Sequence, residues 1–88
     1  MTKKVFITGA TSGFGRATAE IFARHGHDCI ISGRREERLD ELQKELEQKF
    51  NVAIYTLCFD VRNKEEVDHA ISSLPHEWNE IDILINNA

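Results

Sequence analysis

The sequence lacks an apolar run long enough to cross a membrane, and its N-terminus lacks the hydrophobic core of a secretion signal. Cysteine is scarce as well, with Cys29 and Cys58 the two examples, each within a strand-like apolar run. Such residues are better explained as small buried side chains in a reducing compartment than as a disulfide or a metal pair. We therefore expect a cytoplasmic protein without membrane association.

Long basic stretches are also absent, and the net charge at pH 7 is -4. This charge argues against non-specific nucleic-acid binding. The spacing of the four histidines matches no metal motif, so we predict no metal site. The 88 residues, with ordinary apolar and charged fractions, predict one small globular domain rather than a disordered chain.

The most informative segment present is residues 8–15, Thr-Gly-Ala-Thr-Ser-Gly-Phe-Gly, between an apolar run at 5–7 and a helical pattern that begins near Arg16. The first N–H groups of a helix are unpaired and carry partial positive charge, so a strand, a glycine-rich turn and a helix together predict a phosphate site. The spacing departs from the common Gly-x-Gly-x-x-Gly, and the alternative is an ordinary turn. A P-loop is disfavoured because no lysine followed by serine or threonine comes after the last glycine.

Strands and helices are predicted to alternate along the chain. Strands are predicted at 5–8, 29–32, 52–59 and 81–85. Helices are predicted after Arg16, at 36–49, and from Asn63 to Pro75. The third helix would begin with a capping box, in which Asn63 is the N-cap and the Glu66 side chain reaches back to it. This alternation predicts an α/β fold with a parallel sheet covered on both faces, in the order third, second, first, fourth strand. The predicted apolar stripes are Ala17, Ile21 and Phe22 on the first helix, Leu39, Leu42 and Leu46 on the second, and Val67, Ile71 and Leu74 on the third.

A ligand of such a sheet belongs at the carboxyl ends of its strands. The second strand ends at Gly33-Arg34-Arg35, where an acidic residue would favour the ribose 2′-hydroxyl of NAD and an arginine the 2′-phosphate of NADP. The alternative is a pair of surface arginines at a helix start, where the helix dipole disfavours cations. The pattern therefore predicts NADP.

The other two strand ends carry weaker signals. Asp60 can accept a hydrogen bond from an adenine amino group while Val61 packs on the ring, although Asp60 is equally well explained as a helix-start aspartate. The run Asn86-Asn87-Ala88 can pair with backbone across the point where the strand order reverses and can line a ribose pocket.

Taken together, Thr8-Gly9-x-x-x-Gly13-x-Gly15, Asp60 and Asn86-Asn87-Ala88 resemble the short-chain dehydrogenase/reductase family over the whole chain. The resemblance implies the N-terminal half of a Rossmann fold, a doubly wound parallel sheet in three αβα layers with strand order 3-2-1-4. The runs 33–39 and 73–78 resemble the NADP-dependent subgroup that oxidises 3-hydroxy acids and serine-like hydroxy amino acids.

The resemblance also implies the roles of individual residues. Arg34 and Arg35 would hold the 2′-phosphate, Asp60 and Val61 the adenine, and Asn87 the adenine-side ribose, while Thr8 and Asn86 would tie the loop to the fourth strand. The pyrophosphate and the adenosine ribose would meet the loop formed by Gly9, Ala10, Thr11, Ser12, Gly13, Phe14 and Gly15.

No catalytic residue is predicted in this chain, because the family's serine, its Tyr-x-x-x-Lys pair and its further asparagine all lie beyond the Asn-Asn-Ala motif. Tyr55 is the only tyrosine, and Phe59 stands where the lysine would be. We therefore expect 1–88 to be an inactive cofactor-binding half without the catalytic and substrate-binding portion. The full-length form would act on a small hydroxy or carbonyl compound and form a homo-oligomer. The alternative is a stand-alone, non-catalytic nucleotide-binding or interaction module that dimerises through its unpaired fourth strand.

Overall fold

In the computed structural model, which describes residues 3–60 and 62–87, four strands alternate with three α-helices. None of the helices in this part of the chain is long and apolar enough to span a bilayer. The elements are β1 (Lys4–Thr8), α1 (Gly13–Arg24), β2 (Asp28–Gly33), α2 (Glu36–Lys49), β3 (Ile54–Cys58), α3 (Lys64–Ser72) and β4 (Ile83–Asn86), with a short 3-10 turn (His76–Trp78) before β4.

The sheet is parallel and has the order β3-β2-β1-β4, which confirms the predicted α/β topology. Val5 of β1 pairs with Cys29 of β2 on one side and with Ile83 of β4 on the other. The carboxyl ends of all four strands therefore reach the same edge of the sheet.

Alternate residues of the central strand face opposite layers, as the two-residue period of a strand requires. Val5 and Ile7 belong to one buried cluster, which also contains Ala19 and Ala23 of α1 and the three predicted leucines of α2. Phe6 belongs to a second cluster on the other face, with Ala70, Leu74 and Trp78. The two clusters confirm the three-layer αβα arrangement.

The predicted stripe of α1 is wrong in two of its three residues. Ala17 and Ile21 are exposed, Ile21 by 52%, whereas Phe22 packs partly buried against the core. The residues of α1 that are buried are Gly15, Ala19 and Ala23, all of them small. Small side chains let the helix lie close to the sheet, and the larger Ile21 is turned outward.

The third helix departs from its prediction in a similar way. Leu74 is buried but lies beyond the end of α3, and Ile71 is 41% exposed. Helix α3 ends at Ser72, so the predicted boundary at Pro75 is about one turn too late. A sequence pattern gives the existence of a short helix more reliably than its last residue.

The two edges of the sheet differ. On the outer side of β3, the Ile54 N–H donates to Glu47 Oε2 (3.0 Å) and the Ile54 carbonyl accepts from Gln43 Nε2 (2.8 Å). Both side chains come from α2, so this helix satisfies the outward backbone groups of Ile54, the first residue of β3. In the described residues β4 pairs on one side only, with β1, and Leu84 at its centre is 62% exposed. The β4 edge is open to a further strand.

We expect Leu46→Ala to lower the free energy of unfolding by about 2–5 kcal/mol, because it opens a cavity in the core. Leu46 is 1% exposed and packs with Leu39 and Leu42. Gln48→Ala, an exposed position on the same helix, is the matched control and should leave stability within about 0.5 kcal/mol. Urea unfolding followed by circular dichroism measures both. Equal losses would mean that α2 does not pack on the sheet as described.

Candidate functional site

A cleft of about 270 Å³ lies at the carboxyl edge of β1, β2 and β3. It brings together three of the four strand ends singled out in the sequence. We call it the carboxyl-edge cleft, and its lining residues are Gly9, Thr11 and Ser12 after β1, Ser32, Gly33 and Arg34 at the end of β2, and Phe59, Asp60 and Arg62 after β3.

The loop between β1 and α1 is held by Ser12. Its hydroxyl donates to the Gly9 carbonyl (2.8 Å) and accepts from the Gly15 N–H (3.2 Å), which caps α1. In the described residues no partner is found for the N–H groups of Gly13 and Phe14, the first two of the helix. Two donors at the positive end of α1 are thus available to an anion.

The three glycines of the loop have different structural roles. A Cβ on Gly15 would lie 2.0 Å from the Gly9 carbonyl oxygen, so only glycine lets α1 approach the loop. Gly9 has a φ of +61°, and a Cβ there would lie 3.1 Å from the Asn87 carbonyl oxygen. A Cβ on Gly13 would meet nothing within 4 Å. The fold requires Gly9 and Gly15, whereas the space beside Gly13 is open.

The two arginines after β2 occupy different positions. Arg34 lines the cleft on the same rim as the glycine loop. The loop approaches the end of β2 closely there, because a Cβ on Gly33 would be 3.1 Å from the hydroxyl oxygen of Thr11. Arg35 is the N-cap residue of α2 and does not line the cleft. Both side chains are exposed, and neither guanidinium forms an ion pair with any described residue.

Asp60 is held by Arg62, a residue that the sequence analysis missed. The Asp60 carboxylate accepts from the Arg62 backbone N–H (2.9 Å), from its Nε (3.2 Å) and from a terminal guanidinium nitrogen (3.0 Å). These bonds, the side-chain ones first, lower the pKa of Asp60 to about 2. The sequence feature that could have revealed Arg62 is its position two residues after Asp60, since an aspartate side chain commonly accepts a hydrogen bond from the backbone N–H two residues later.

The start of α3 confirms the Asn63 cap but not the predicted role of Glu66. Asn63 Oδ1 accepts from the N–H groups of Glu65 (3.1 Å) and Glu66 (3.3 Å). Glu66 Oε2 accepts from the Asp60 N–H (3.2 Å) rather than from that of Asn63, whose N–H donates to the Asp60 carbonyl (3.0 Å). Glu66 therefore ties Asp60 to the helix. Val61 lies outside the described residues.

The end of β4 is tied to the end of β1. The Thr8 hydroxyl donates to Asn86 Oδ1 (2.9 Å) and accepts from the Asn87 N–H (3.2 Å), and Asn87 Nδ2 donates to the Thr8 carbonyl (3.3 Å). These bonds agree with the predicted tie between the loop and the fourth strand. Asn87 lies beside Gly9 but does not line the cleft.

The structure thus brings part of the predicted set together. Ala10 is buried, with its N–H donating to the Ser32 carbonyl (2.9 Å), and Phe14 is 85% exposed. The predicted residues that line the cleft are Gly9, Thr11, Ser12, Arg34 and Asp60, and those that do not are Ala10, Gly13, Phe14, Gly15, Arg35 and Asn87.

The two cysteines are free thiols in different surroundings. Cys29 is buried, and burial raises the pKa of its thiol to about 12. Cys58 is exposed, so the prediction that both are buried is wrong for this residue, which is the last of the edge strand β3. No three His, Cys, Asp or Glu side chains in residues 3–60 and 62–87 are placed to hold a metal ion.

Residues 3–88 match the profile of the short chain dehydrogenases. The chain belongs to this family. It is 49% identical over 88 residues to sulfoacetaldehyde reductase 2 of Chromohalobacter salexigens, covering 100% of this chain and 34% of the relative. It is 46% identical over 84 residues to the NADP-dependent 3-hydroxy acid dehydrogenase YdfG of Escherichia coli K12, covering 96% and 32%.

Solved structures give the same result. L-sorbose reductase from Gluconobacter frateurii, complexed with NADPH and L-sorbose, superimposes with a TM-score of 0.92 at 38% identity, over 99% of this chain and 33% of that one. Serine dehydrogenase from Escherichia coli superimposes with a TM-score of 0.82 at 48% identity, over 97% and 38%. The chain spans about a third of the length of the relatives it matches.

We expect Gly15→Ala to destabilise the fold by about 3 kcal/mol or more, because its Cβ overlaps the Gly9 backbone and forces α1 away from the loop. Gly13→Ala adds the same methyl group two residues earlier, in open space, and should change stability by less than about 1 kcal/mol. Urea unfolding by circular dichroism compares the two. Similar stability of both variants would contradict the close approach described here.

Proposed function

We propose that this chain is the NADP(H)-binding half of a short-chain dehydrogenase/reductase that transfers hydride between NADP and a small hydroxy compound. The observation that carries the proposal is the carboxyl-edge cleft, which gathers the capped glycine loop, Arg34 and Asp60 on one edge of the sheet. The bound cofactor would supply the hydride, and the residues of this chain would bind and orient it.

The loop residues fit a pyrophosphate. The Gly13 and Phe14 N–H groups are unpaired among the described residues, and no Cβ fills the space beside Gly13. We assign the pyrophosphate to these donors, with Gly9, Ala10, Thr11, Ser12 and Gly15 shaping the loop. We assign the adenine to Asp60 and Val61 and its ribose to the segment at Asn87.

The charge at the end of β2 supports NADP rather than NAD. Arg34 is on the rim of the cleft, Arg35 is next to it in sequence, and neither forms an ion pair with a described carboxylate. A guanidinium fork fits a phosphate, and no acidic residue stands where a ribose 2′-hydroxyl would need one. The relatives agree with this cofactor, since the Escherichia coli 3-hydroxy acid dehydrogenase is NADP-dependent and the sorbose reductase is complexed with NADPH.

The substrate we propose is a small 3-hydroxy acid or a serine-like hydroxy amino acid. Support comes from the 3-hydroxy acid dehydrogenase and from the serine dehydrogenase, at 46% and 48% identity. We place the catalytic groups outside residues 1–88, because Tyr55 is partly buried with its ring centroid 5.6 Å from that of Trp78 and packs in the core.

The unequal sheet edges support a fragment of a larger fold. Gln43 and Glu47 cover the β3 edge at Ile54, whereas β4 pairs with β1 alone among the described strands. Beside β4, the exposed Leu84 and Ile71 line an apolar cavity of about 270 Å³. We propose that a further strand of the same, longer protein adds to β4, and that the full-length protein is a cytoplasmic homo-oligomer. The rival is a non-catalytic module that dimerises through this edge.

We expect Arg34→Asp to weaken NADPH binding about tenfold to a hundredfold, because it removes a charge-assisted hydrogen bond to the 2′-phosphate. NADH, which lacks that phosphate, should change by much less. Isothermal titration of both cofactors gives the ratio.

Lys44→Asp is the control for the altered net charge, since it makes the same charge change on α2 away from the lining of the cleft. It should leave the ratio of NADPH to NADH affinity unchanged. An equal loss for both cofactors in Arg34→Asp would show that Arg34 does not contact the 2′-phosphate.

The fragment hypothesis and the module hypothesis are distinguished by comparing residues 1–88 with a protein that continues to the length of the relatives. We expect NADP⁺ reduction with a 3-hydroxy acid or serine in the longer form only, followed by NADPH absorbance, because residues 1–88 carry no general acid or base of the required kind. A dimeric mass of the 88-residue chain together with tight NADPH binding, and no turnover by the longer form, would favour the module.

A further inference from the structure

The hydrogen bonds of Asp60 leave one defined acceptor position. Oδ1 accepts twice, from the N–H and the Nε of Arg62, whereas Oδ2 accepts once, from the terminal guanidinium nitrogen. A carboxylate has about four lone-pair sites. One site on Oδ2 is therefore unused by Arg62, in a residue that lines the carboxyl-edge cleft.

We propose that Arg62 is a positioning residue that makes the cleft selective for a 6-aminopurine over a 6-oxopurine. It does so by fixing the Asp60 carboxylate so that its remaining acceptor site meets the exocyclic amino group. This inference rests on the proposed function, in which Asp60 receives the adenine, and adds to it the residue that sets base selectivity.

The backbone around Asp60 is fixed from a second side. Its N–H donates to Glu66 Oε2 (3.2 Å) and its carbonyl accepts from the Asn63 N–H (3.0 Å). The segment is thus anchored to α3, and Arg62 supplies the remaining constraint, the orientation of the carboxyl plane. A bidentate guanidinium defines that plane in a way that a lysine ammonium does not.

The charge state of Asp60 suits this role. Hydrogen bonds from Arg62, and last among the causes the charge of the nearby Arg34, lower the pKa of Asp60 to about 2. At neutral pH the carboxyl group is ionised and can only accept hydrogen bonds. An acceptor-only group pairs with an amino group and repels the carbonyl oxygen of a 6-oxopurine. Selectivity of this kind typically reaches about tenfold to a hundredfold when the hydrogen bond involves a charged group.

The test compares NADPH with its analogue in which hypoxanthine replaces adenine, by isothermal titration with the chain and its variants. The ratio of the two affinities should be about tenfold or more in the unmodified chain. Arg62→Leu should reduce this ratio at least about threefold, mainly by weakening the binding of NADPH. The ratio for Arg62→Lys should lie between those of the unmodified chain and Arg62→Leu. Asp60→Asn, whose amide can also donate, should bring the ratio close to one or invert it.

Lys64→Leu is the matched control. It removes one positive charge two residues away, and Lys64 does not line the cleft. The ratio of the two dinucleotide affinities for Lys64→Leu should equal that of the unmodified chain. Circular dichroism of each variant verifies folding.

A role of Arg62 in folding alone would weaken both dinucleotides equally, and an unchanged ratio in Arg62→Leu would overturn the inference while leaving the proposed function intact. If the unmodified chain bound neither dinucleotide, the proposed function and this inference would fail together.

Discussion

The contact between the backbone of α1 and the loop before it is the constraint on which the site depends. Gly15 lies so close to the Gly9 carbonyl that no side chain fits between them. This approach sets the first turn of α1, with the N–H groups of Gly13 and Phe14, at the carboxyl end of β1. The small residues Ala19 and Ala23 continue the close contact along the helix. The placement of these helix N–H groups, on which the proposed phosphate site depends, is thus a consequence of how tightly the helix packs on the sheet.

The charged side chains at the cleft are of two kinds: those already in an ion pair, and those without one among the described residues. Asp60 and Arg62 neutralise each other through three hydrogen bonds, whereas Arg34 and Arg35 have no ion pair among the described residues. A carboxylate oriented by several hydrogen bonds suits the recognition of a neutral base. Unpaired guanidinium groups suit a phosphate, because they lose no internal partner when it binds.

Much of this arrangement could be predicted from the sequence, because it depends on local patterns. Alternating apolar runs gave the strand order, and Asn63 gave the start of α3. The buried face of α1 could not be predicted in this way, because hydrophobicity ranks Ile21 above Ala19 whereas the close approach at Gly15 favours the smaller residue. Arg62 was missed because its role depends on a side chain folding back onto Asp60, which apolar periodicity does not report.

Side chains of α2 hydrogen-bond to the backbone at one edge of the sheet, so the two edges are not equally open to a further strand. Gln43 and Glu47 are four residues apart on α2 and meet the carbonyl and the N–H of the same residue, Ile54. A strand adding to β3 would have to displace both side chains at Ile54, whereas one adding to β4 would cover the exposed Leu84. These two contacts and the exposed Leu84 are what support the proposed addition of a strand to β4. In that proposal the added strand lies beside β4, whose end is tied to β1 through Thr8 and Asn87.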